Sequence, residues 1–116
     1  MLKLRTAAAG LSALILLASN APVSAGNGDS QFITELGSAM NKMMIAMEIR
    51  PSGDVDNDFV ASMVPHHQGA VEMAQSELRY GRNEQLRRIA QEIIITQEEE
   101  ITAMHLAVNQ PLQAPK

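Results

Sequence analysis

The chain has 116 residues, 8 methionines and no cysteine, with aromatic residues at 3% and a formal net charge of −4. That length fits one domain, and the missing thiols exclude a disulfide scaffold, a thiolate metal cluster and a thiol enzyme. The acidic balance and the shortage of stacking side chains argue against a nucleic-acid partner.

Residues 1–25 read as an export signal. Lys3 and Arg5 supply a positive start, residues 7–18 an apolar run, and Val23-Ser24-Ala25 the small residues of a cleavage site. The run falls short of the roughly 20 apolar residues of a membrane span, so no stable span is expected once the signal is cut. Cleavage after Ala25 leaves 91 of the 116 residues, with seven methionines and 7 basic residues against 13 acidic ones. The expected location is periplasmic or secreted.

Residues 26–30 read as a tail in which Asp29 or Ser30 caps a first helix over about 31–49. Met40, Met43, Met44 and Met47 fall at i, i+3, i+4 and i+7, which is one side of that helix. Thioethers are soft neutral donors that select Cu(I), although methionine also fills irregular cores. Arg50-Pro51-Ser52-Gly53 ends the helix.

A second helix is expected over about 56–80, started by Asp54 or Asp56 and ended at Tyr80-Gly81 by a left-handed glycine. It carries Met63-Val64-Pro65-His66-His67, then Gly69 and Met73. Met63 and His67 are four apart, Met63 and His66 three, His66 and Met73 seven. One helix therefore offers two imidazoles and two thioethers to one side. A buried His67 needs a partner at each ring nitrogen. A metal is one such partner, and Glu or Gln from another helix is the other. Pro65 removes a helical hydrogen bond just before the pair, and Gly69 lets a facing helix approach.

A third helix, about 83–109, opens at Asn83 and carries Gln97, Glu100, Met104 and His105. Gln97 is a candidate second-shell partner for a ligating imidazole. Glu98-Glu99-Glu100 reads as a solvated side. Pro111 to Lys116 reads as a frayed tail. No strand alternation, phosphate loop or repeat is visible. The expected fold is all-α, a small antiparallel bundle of three main helices, with dimerisation enlarging its modest core.

The run Met63-Val64-Pro65-His66-His67-Gln68-Gly69-Ala70-Val71-Glu72-Met73-Ala74 resembles the signature of the domain-of-unknown-function 305 family, and Gln97 to Met104 is similar to its second motif. The resemblance spans roughly Asp56 to Val108 and implies a ferritin-like helical bundle. It further implies Cu(I) or Ag(I) binding through Met63, His66, His67, Met73 and Met104, completed by first-helix methionines such as Met44 and Met47. Ala107 and Val108 stand where many members carry an aromatic residue, and His105 is an unusual neighbour.

The expected function is an exported Cu(I)-binding, non-enzymatic protein of copper tolerance or homeostasis, with a metal ion as ligand and a second copy or a copper-trafficking protein as partner. Two rivals stand beside it. One is a metal-independent helical module with a Met-rich surface. The other is a zinc or Cu(II) site using the histidine pair and a Glu. A di-iron bundle would need Glu three residues before its histidines, where Met63, Val64 and Thr102 stand instead.

Overall fold

A computed structural model describes residues 26–111; the export signal and the last five residues of the expected tail lie outside them. The described chain holds three helices, α1 (Asn27–Ala46), α2 (Val55–Tyr80) and α3 (Glu84–Ala107), and no strand. It is a small all-helical bundle. Ile93-Ile94-Ile95 lies inside α3: β-branching lowers helix propensity only slightly, and the flanking residues continue the helical pattern.

Asn83 caps α3 as expected, and of the two acidic residues expected near the start of α2 it is Asp54 that caps it. Asp54 accepts from the Asp56 and Asn57 amides at 2.9 and 3.1 Å, and Asn83 from the Gln85 and Leu86 amides at 3.0 Å each. Each satisfies two of the first-turn amides that have no helical acceptor. Pro65 lies within α2 rather than at its start.

The other ends differ. Residues 27–30 are helix, not tail, and Gly26 rather than Asp29 or Ser30 occupies the N-cap. Gly28 lies against the Tyr80 ring, where an added Cβ would meet Cδ1 at 3.8 Å, so packing on α2 holds this turn. Helix α1 stops at Ala46, before Ile49, with no basic residue in its last turn to offset the dipole. Gly81 is extended (φ −70°, ψ 146°), not left-handed. Arg87 supplies the cap instead, donating to the Leu78 and Gly81 carbonyls at 2.6 and 3.1 Å. Helix α3 closes at Ala107, short of 109, with Asn109 left-handed at φ 56°. The Asn109 and Gln110 amides then reach back to the Leu106 and His105 carbonyls at 3.2 and 2.9 Å, a Schellman closure.

Helices α1 and α3 both pack on α2 and make no close backbone approach to each other. The bundle is thus a single layer with α2 in the middle. Val60, Val64, His67, Val71 and Ala74 are buried on the side of α2 that meets α3, where Ala90 is also buried. Gly69 and Ser76 are buried on the side that meets α1. A Cβ on Gly69 would lie 2.7 Å from the Met43 Sδ and 3.0 Å from its Cβ. An added Cβ would push the Met43 side chain aside, so glycine gives α1 its close approach there, as expected from the sequence.

Candidate metal-binding face

Because α2 separates α1 from α3, the layer has two faces. Glu35, Ser38, Lys42 and Ala46 form one edge of α1, at steps of three and four. They line two open cavities of about 340 and 320 Å³ together with Ala61, Pro65, Gln68, Glu72, Gln75 and Arg79 along one edge of α2. Residues three and four apart share a side of a helix, so this is one continuous face, polar from Glu35 to Lys42 and more apolar where Ala46, Ala61 and Pro65 line it. Its charges pair internally. Lys42 Nζ meets Glu72 at 3.2 Å. Glu35 accepts from the Tyr80 hydroxyl at 2.7 Å, the Ser76 hydroxyl at 2.9 Å and the Arg79 guanidinium. The Tyr80 hydrogen bond first, then those of Arg79 and Ser76, hold the Glu35 carboxyl below the usual range. Glu35 in turn raises the Tyr80 hydroxyl. Nothing near Glu35 in the sequence names these partners, which lie 41 to 45 residues on; the packing of α1 on α2 brings them together.

The opposite edges carry the sulfur. On α1 they hold Ile33, Met40, Met44 and Met47; on α2, Phe59, Met63, His66 and Met73, again at helical steps. Met40 and Met44 are exposed, and Met47, Met63 and Met73 are half-buried. His66 is exposed. Met43 lies between the faces, its thioether seated on Gly69, and positions 66, 69 and 73 share one side of α2. A sulfur from α1 therefore rests on the side of α2 that carries His66 and Met73. Met104 is half-buried on the α3 side that meets α2.

The two other histidines are held differently. His67 is 8% exposed. Its Nδ1–H donates to the Met63 carbonyl at 2.9 Å, and its Nε2 lies 2.6 Å from Glu100 Oε2. Both ring nitrogens are thus engaged, by the non-metal partner of the two that sequence reading offered. Glu100, read as part of a solvated run, supplies it, and the partner role considered for Gln97 falls to Glu100 one turn on.

His105 is buried as well, at 6% exposure. The Schellman closure brings Gln110 back to it, and its Nδ1–H donates to the Gln110 Oε1 at 3.1 Å. Its Nε2 is buried and has no protein partner. His105 lines the 320 Å³ cavity with Ala61, Pro65 and Gln68, so it belongs to the polar face and not to the methionine face. The structure thus brings Met40, Met43, Met44, Met47, Met63, His66 and Met73 to one region and separates His105 from them.

Among the described residues, no three His, Asp or Glu side chains gather closely enough to hold a metal ion. Any metal on the methionine face relies on thioethers, which suits a soft ion rather than zinc. No described helix is long and apolar enough to cross a membrane.

The profile of the family described as Domain of unknown function (DUF305) matches residues 12–108. The chain belongs to that family. No curated relative matches it.

Proposed function

We propose that this is an exported protein that binds Cu(I), and Ag(I) in its place, to sequester or carry it in copper homeostasis. The observation that supports the reading is the seating of the Met43 thioether on Gly69, between His66 and Met73. Met40, Met44, Met47 and Met63 flank that position on the same face. Thioethers stay neutral at all accessible pH, so protons do not compete for them. They also survive an oxidising compartment without forming disulfides. The exposed His66 supplies the imidazole, while His67 ties α2 to α3.

Titration of the protein with Cu(I) or Ag(I) against a competing chelator tests this. Tight binding is expected, weakened about tenfold or more in Met43→Ala, Met73→Ala and His66→Ala, with helical content by circular dichroism kept. Equal affinity in the wild type and all three variants overturns the site. Preference for Zn(II) over Cu(I) favours the imidazole–carboxylate reading, and indifference to every metal favours a helical interaction module.

A further inference from the structure

We infer that the methionine face is covered by a second copy of this chain, and that the soft metal is held between the two copies. The second half rests on the function proposed above; the first does not.

The polar face pairs its own charges, Glu35 with Arg79 and Lys42 with Glu72. The other face leaves Ile33, Met40, Met44, Val55, Phe59 and Ile89 between 45% and 82% exposed. Their positions follow one edge per helix. On α1, Ile33, Met40 and Met44 are at steps of seven and four. On α2, Val55 and Phe59 precede Met63 by eight and four. On α3, Ile89 and Ile93 stand eleven and seven before Glu100, which marks that edge by meeting His67. Scattered exposed hydrophobics need no explanation; a set aligned across three neighbouring helices does.

The area is right for a pair. Phe59 is an aromatic that carries on the order of 150–250 Å², and with the five smaller aliphatic side chains, all about half or more exposed, the patch is on the order of 500 Å². That is the upper end of what a monomer leaves open, about 300–600 Å². With the half-buried Met47, Met63, Met73 and Ile93 at its centre, it approaches the roughly 800 Å² that each partner contributes to a standard interface. Gly37 lies on this edge of α1, where an added Cβ would meet nothing within 4 Å. A mid-helix glycine costs about 1 kcal/mol against alanine, and among the described residues nothing packs on this one; it leaves room for another helix to approach closely.

The occupant is a copy rather than a membrane, because the chain carries a net charge of −4 and helices that lie on membranes are basic on their polar side. Packed on itself about a two-fold axis, the layer becomes two layers of three helices around one core. The metal argument points the same way. Met40, Met44, Met63, His66 and Met73 all approach from one side, which leaves a bound ion open on the other. A second copy brings the same donors from opposite, and the coordination closes between them.

Sedimentation equilibrium, with and without Ag(I), tests both halves on the wild type, Phe59→Asp and Ile89→Asp. Both substituted side chains are exposed, and helical content confirms that each variant folds. The wild type is expected at twice the chain mass and both variants at the chain mass. Ag(I) affinity is expected to fall about tenfold or more in the variants although no donor is changed. A wild type that stays monomeric, variants that stay dimeric, or capture by phosphatidylcholine vesicles in place of dimerisation overturns the docking face. Monomeric variants with unchanged Ag(I) affinity overturn the shared site and leave the proposed function standing. A dimer through this face that binds no Ag(I) overturns the proposed function, and the shared metal with it.

Discussion

The three histidines of this chain occupy three different environments, and their neighbours determine what each can do. His66 is free at the surface of the methionine face. His67 is fixed by a carbonyl and a carboxylate, and its bond to Glu100 joins α2 to α3 through side chains. Glu100→Ala leaves the buried Nε2 with no partner, which costs about 1–3 kcal/mol. Urea denaturation is expected to show that loss, with Glu99→Ala as the silent control. His105 already has such an unpartnered nitrogen, and Gln110 fixes its tautomer from the other side.

At the scale of the elements, the contact of α1 with α2 depends on an absence. Gly69 has no side chain, and the Met43 thioether takes the space. Gly69→Ala forces Met43 aside, since 2.7 Å is well inside van der Waals contact. Overpacking of this kind costs typically 1–3 kcal/mol. The variant is expected to lower both the thermal midpoint and Ag(I) affinity. Ala70→Gly, one position on, is expected to lower stability by helix propensity alone, about 1 kcal/mol, with affinity unchanged. The Pro65 position shows how elements override local rules. A proline inside a helix removes one hydrogen bond, yet α2 runs through it because packing on both flanking helices holds the segment.

For the whole molecule, one face carries a network of paired charges, and acid acts there. The hydrogen bonds from Tyr80, Arg79 and Ser76 depress the Glu35 carboxyl. A depressed folded value means that the unfolded chain takes up its proton first as pH falls. The stabilisation from Glu35 is therefore complete above the unfolded value of 4.5. It is lost as pH falls through the lower folded value. Acid unfolding of the wild type is expected to steepen below that point, and Glu35→Gln is expected to flatten the profile there while lowering stability at neutral pH. Equal acid profiles would remove this network from any role in holding α1 to α2.

Helical periodicity and the Asn83 cap were legible in the sequence, because each is set by residues within one or two turns; Gly69 marked a close approach without naming Met43 of α1 as what takes the space. The family signature was legible for the same reason: Met63, His66, His67, Gly69 and Met73 lie within one short stretch of helix. The end at Asn27 was not, because the Tyr80 ring decides it from another helix; those at Gly81 and Ala107 turn on near neighbours, Arg87 and a left-handed Asn109, whose roles the periodicity does not single out. Nor could sequence tell whether His67 faced a metal or Glu100, since the two are 33 residues apart. Spacing along one helix fixes which side chains share a side of that helix. Only the packing of α1 and α3 on opposite flanks of α2 turns those sides into two faces of a layer. That packing puts the methionines together on one face and His105 on the other.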